Sequence, residues 1–120
     1  MTSYPDIEIY ILNASADDLA TWLSTVFEQV TPSNDGWHCL YQGKALDVQF
    51  TPKIQKNFSS LWFKQNHTPW LTDLDCARAA HAALSAEVRC QDSSWQEEEG
   101  ETNGGWIKLI RGEEKSFEWI

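Results

Sequence analysis

Basic side chains are scarce in this chain. Nine Lys and Arg stand against eighteen Asp and Glu, so the 120 residues carry a formal charge of −9. A field of that sign repels phosphate backbones and anionic lipid surfaces, which argues against nucleic acid and membrane as partners. Long apolar runs are missing too, and no stretch approaches the ~20 residues that a membrane-spanning helix requires. The opening residues, Met1 to Asp6, lack the basic and apolar segments of a secretory leader. The three cysteines, Cys39, Cys76 and Cys90, have no C-x-x-C spacing, so neither a disulfide scaffold nor a zinc ribbon is expected. Together these absences predict a cytoplasmic protein. G-x-S-x-G, H-E-x-x-H, the phosphate-binding G-x-x-x-x-G-K-[ST] loop and G-x-G-x-x-G are all absent.

What remains is 42% hydrophobic and 22% charged, enough for one core. We therefore expect a single domain over 1–120. Ile7, Ile9 and Ile11 alternate with Glu8, Tyr10 and Leu12, the period of a strand. Ser15 followed by Asp17 and Asp18 reads as a helix start, and Leu19, Trp22, Leu23, Val26 and Phe27 form one apolar stripe. Thr31 to Gly36 is turn chemistry. A hairpin follows, with Leu46, Val48 and Phe50 alternating, and Pro52 to Asn57 reads as a connection. Phe58 to Gln65 is a further strand. Thr72 caps a second, alanine-rich helix running to about Ala86. Glu87 to Gln91 reads as a short strand, Asp92 to Asn103 as an acidic loop, and Trp106 to Ile120 as a last hairpin turned at Gly112 to Glu114.

The chain resembles itself. Gly36-Trp37-His38-Cys39-Leu40-Tyr41-Gln42-Gly43 and Gly105-Trp106-Ile107-Lys108-Leu109-Ile110-Arg111-Gly112 share Gly, Trp, Leu and Gly, with Trp37 and Trp106 standing 69 residues apart. The stripe on the first helix also aligns with Cys76, Ala79, Ala80, Ala83 and Leu84 on the second. The expected fold is α+β: two similar βαβββ-type halves, 1–57 and 58–120, forming mainly antiparallel sheet with two helices packed on one face. A ferredoxin-like sandwich with an added hairpin is the alternative.

Two tandem βαβββ units, with Thr72-Asp73-Leu74-Asp75-Cys76-Ala77-Arg78-Ala79-Ala80 at a strand-to-helix junction, resemble the vicinal oxygen chelate superfamily of glyoxalase and bleomycin-resistance proteins. That resemblance implies two sheets curled around a cleft, with metal ligands projecting from the outer strands of each half. Carried over, it turns Ile7, Ile9, Ile11, Val48, Phe50, Phe117 and Trp119 toward the helices. Glu8, Tyr10, Gln49, Trp62 or Phe63, and Glu118 face the cleft, beside Lys64. No histidine falls at a ligand position.

His38, His67 and His81 have no partner at a metal-ligand or triad spacing, and His38 and Cys39 point to opposite faces of one strand. No metal or cofactor is expected, and no catalytic set can be assembled. Seven tryptophans are many for this length. Trp22, Trp37, Trp106 and Trp119 fit packing positions, whereas Trp62, Trp70 and Trp95 (the last inside the acidic loop) do not, and are candidates for a pocket or an interface. The expectation is a non-catalytic domain that binds a small molecule or protein partner through an aromatic-lined cleft, with homodimerisation open to it. The candidate residues are Glu8, Tyr10, Gln49, Trp62, Lys64, Trp70 and Glu118. A divalent-metal lyase or dioxygenase of the vicinal oxygen chelate type is the alternative.

Overall fold

A computed structural model describes residues 4–91 and 105–117. In chain order the elements are β1 (Ile7–Leu12), α1 (Ala16–Val26), β2 (Gln29–Pro32), β3 (Gly36–Tyr41), β4 (Lys44–Gln55), β5 (Phe58–Phe63), α2 (Asp73–Leu84), β6 (Val88–Gln91), β7 (Trp106–Ile110) and β8 (Glu113–Phe117). All eight strands form one antiparallel sheet in the order β2-β3-β4-β5-β1-β6-β7-β8. The fold is α+β and mainly antiparallel sheet, as its alternating apolar pattern predicts.

Strand order decides how the two helical connections cross the sheet. The chain passes from β1 through α1 and the paired strands β2 and β3 to β4, and β5 lies between β1 and β4. It then passes from β5 through α2 to β6, and β1 lies between these. Both connections are therefore split β-α-β crossovers, and they interleave at the β5–β1 pair. β2 and β8 are left as the sheet edges.

Each helix starts where its cap was read. The Ser15 hydroxyl accepts the Asp18 N–H at 3.1 Å, and the Thr72 hydroxyl accepts the Asp75 N–H at 3.2 Å. Each satisfies a first-turn donor that has no intrahelical partner. α2 ends at Ser85, whose φ of 56° is left-handed.

Alternation places Ile7, Ile9 and Ile11, all at most 1% exposed, on one face with Leu46, Val48, Leu61, Phe63, Val88 and Cys90. Leu19, Trp22 and Leu23 of α1 and Cys76, Ala77 and Ala80 of α2 cover that face. The small side chains of α2 let that helix lie close to β1 and β6, whereas α1 brings bulk.

Three details differ from the expectations. Thr31 and Pro32 belong to the edge strand β2, and proline is tolerated there because an edge does not need its missing N–H. β4 runs on through Pro52 to Gln55 past an irregularity, with Lys53 at φ 52°. The last hairpin turns at Arg111-Gly112, where φ values of 53° and 79° match the tight primed turn that suits twisted strands. The expected acidic loop lies outside the described residues, as do Glu118 and Trp119.

Candidate functional site

Among the described residues, both helices lie on one face of the sheet and none on the other. Register fixes the membership of this open face: Gln49 pairs with Trp62 and Trp62 with Glu8, one row across β4, β5 and β1. A second row runs Thr51, Ser60, Tyr10, Arg89, Lys108 and Lys115. Glu8, Tyr10, Gln49 and Trp62 thus share one surface, as strand alternation predicts. All four are half-buried, because neighbouring side chains lean over them.

Hydrogen bonds hold this surface in a defined shape. The Trp62 indole Nε1 donates to Asp6 Oδ2 at 2.7 Å, which fixes the ring plane. Lys64 Nζ lies 5.3 Å from the same ring centroid, a cation–π contact. Ser60 Oγ donates to Glu8 Oε2 at 2.6 Å, and the Glu8 backbone N–H donates to Asp73 Oδ1 at 3.1 Å. Tyr10 packs edge-on against Trp106, with ring centroids 5.5 Å apart. Burial and the adjacent Glu8 carboxylate push the Tyr10 phenol up to about 12, so it stays protonated. Burial raises the Asp73 carboxyl to about 6, and the charges of Asp6 and Glu8 add to that rise.

Farther along the sheet the Arg89 guanidinium stacks between two rings, 4.2 Å from the centroid of Phe58 and 4.6 Å from that of Phe117. Its Nε also pairs with Glu87 at 2.9 Å. At the opposite end His38 Nδ1 lies 2.5 Å from Asp47 Oδ1. This pair borders a polar depression of about 220 Å³ that Gln49, Lys64 and Asn34 also line.

Several candidates are placed elsewhere. Trp70 belongs to the core and not to a pocket: it is 8% exposed, stacked on Trp22 and edge-on to Phe63. The loop that carries it is pinned, since Thr68 Oγ1 accepts the Trp70 N–H and Asn66 Nδ2 donates to the Tyr4 carbonyl. Phe117 lies on the open face opposite Trp106, not toward the helices. Trp37 is buried on the helix side, whereas Trp106 is on the open side, so residues related by the 69-residue offset do not share a face. Phe63 lies in the core, leaving Trp62 as the open-face aromatic of that pair. Glu118 lies outside the described residues.

Sequence reasoning missed Asp6, Asp73 and the Arg89 sandwich. In the sequence Asp75 holds the capping-carboxylate position after Thr72 and Asp73 carries no signal of its own; only the fold brings Asp73 to Glu8. Among the described residues no three His, Cys, Asp or Glu side chains converge as metal ligands. No helix among them is long and apolar enough to cross a membrane. Comparison with protein-family models, with curated proteins and with solved structures finds no match to this chain.

Proposed function

We propose that this chain is a non-catalytic binding domain that takes a small planar molecule against the open sheet face at Trp62. One observation carries the reading: Trp62 is only partly buried and its indole is held by Asp6, in the same surface as Tyr10 and Trp106. A fixed aromatic platform binds a planar ligand with little loss of side-chain freedom. The net charge of −9 argues against nucleic acid as that ligand. The three cysteines are free and buried, which is consistent with the reducing conditions of a cytoplasmic protein.

Saturation-transfer NMR against a set of planar heteroaromatic fragments, indole and purine bases included, tests this. Binding that shifts the Trp62 indole N–H resonance and vanishes in Trp62→Ala is the expected outcome. Fragments that bind the helix side, or none that bind at millimolar concentration, would overturn the proposal.

A further inference from the structure

His81 stands on the last turn of α2 and touches two backbone groups of opposite character. Its Nδ1 is 2.7 Å from the Ala86 carbonyl oxygen, and its Nε2 is 3.0 Å from the Gly112 backbone nitrogen. A carbonyl oxygen can only accept, so Nδ1 must carry a hydrogen. A backbone N–H can only donate, so Nε2 must be bare. One form of the ring meets both demands, the neutral Nδ1–H tautomer.

We infer that His81 is a proton-operated latch joining α2 to the β7–β8 turn. Protonation at Nε2 sets two N–H donors against each other, and the Gly112 bond cannot survive it. The bond to Ala86 is kept, because Nδ1–H still donates. Protonation therefore releases one named contact and leaves the helix end intact.

The surroundings allow such a movement. Arg111 and Gly112 form a tight turn at the tip of the hairpin, and a depression of about 440 Å³ opens between that tip, His81 and Glu87. The charged groups that line this depression with His81 are Glu87 from the α2–β6 connection and Arg111 from the turn; on the neighbouring elements stand Arg78, three residues before His81, and Glu114 in β8. Glu87 is paired with Arg89, and Glu114 with Arg78 at 2.5 Å. The Arg78–Glu114 pair is a second tie between α2 and the hairpin that stays ionised when the imidazole titrates. Release at Gly112 thus loosens the tip without detaching β8. The same β7 strand carries Trp106, so the latch also bears on how that ring rests against Tyr10.

The corresponding turn of the first hairpin has an acceptor that works differently. There Glu28 Oε2 accepts the Gln42 N–H at 2.9 Å, so a carboxylate oxygen rather than a ring nitrogen holds that turn.

Nitrogen-15 NMR of the full chain between pH 8 and pH 5 tests the latch without any ligand. Its result is therefore separate from that of the binding proposal. At pH 8 the ring is expected as the Nδ1–H tautomer, with the Gly112 amide protected from exchange. As His81 titrates, Gly112 protection should fall at least tenfold while Ile9 in the central strand keeps its own. In His81→Phe, Gly112 should be unprotected at every pH. An Nε2–H tautomer at pH 8, or Gly112 protection that ignores the titration, would refute the latch. Both readings come from the wild-type chain, so a poorly folding variant does not weaken the test.

Discussion

The Asp73 carboxylate takes the place of a strand for Glu8. β6 pairs with β1 only at Tyr10 and Ile11, so the N–H of Glu8 faces a gap in the ladder, and Asp73 accepts it at 3.1 Å from the first turn of α2. One side chain thereby ends the ladder, opens the helix and borders the open face.

That position has a measurable cost. Burial lifts the Asp73 pKa to about 6 from an ordinary 3.8, so the folded protein holds a proton there that the unfolded chain has already lost. Between pH 4 and pH 6 the native state binds more protons, and stability falls as pH rises through that window. Asp73→Asn keeps an oxygen for the Glu8 N–H and removes the charge. Urea denaturation should find the variant more stable than the parent at pH 7.5, by about 1 kcal/mol after allowance for solvent screening. At pH 4 the two should nearly coincide.

Gly36 should resist any side chain. A Cβ there would stand 1.8 Å from the Val48 carbonyl oxygen, inside the β3–β4 ladder. Backbone cannot yield as a flexible side-chain tip can. Gly36→Ala should cost about 2 kcal/mol or more, seen as a lower urea midpoint with an unchanged slope.

Two of the tryptophans singled out as pocket candidates should part company under mutation. Trp70→Ala empties a site enclosed by Trp22, Phe27 and Phe63 and should lose about 3–5 kcal/mol. Trp62→Ala removes a partly buried surface ring and should lose about 1 kcal/mol, the usual scale for changes that break one hydrogen bond. Equal losses would mean that Trp62 is a core residue.

The thiols should be silent in the native state. Burial pushes Cys39 up to about 11, with Asp47 adding to the shift, and holds Cys76 well above its ordinary value. A disulfide reagent at pH 8 should label none of the three within minutes, and all three after denaturation.

Local order was easily legible in the sequence. Ser15 and Thr72 mark both helix starts, and the Ile7-Ile9-Ile11 alternation assigns β1 its faces, because caps and pleats depend on residues a few positions apart. Alternation assigns Glu8, Tyr10, Gln49 and Trp62 their faces strand by strand, but their grouping comes from the family resemblance and is carried by the register. Trp70 could not be placed, since a loop tryptophan reads alike whether it points outward or folds under a helix. Phe117 was turned the wrong way because the 69-residue offset compares letters, whereas a face is set by pairing with Trp106 and Arg89. Asp73 and His81 were read as helix residues alone. Their partners, Glu8 and Gly112, are 65 and 31 positions away, and no local pattern reports such distances.

The interleaved crossovers bear on how this chain can be made. The two central strands, β5 and β1, come from opposite halves of the sequence, so a ribosome must release β5 before β1 has a neighbour on that side. A chain severed between Lys56 and Asn57 would give two fragments, each with an apolar strand and nothing to zip it against. Mixed, they should reconstitute the sheet by re-forming the β4–β5, β5–β1 and β1–β6 pairs. That property is the one required of a split reporter whose signal appears only when both pieces meet.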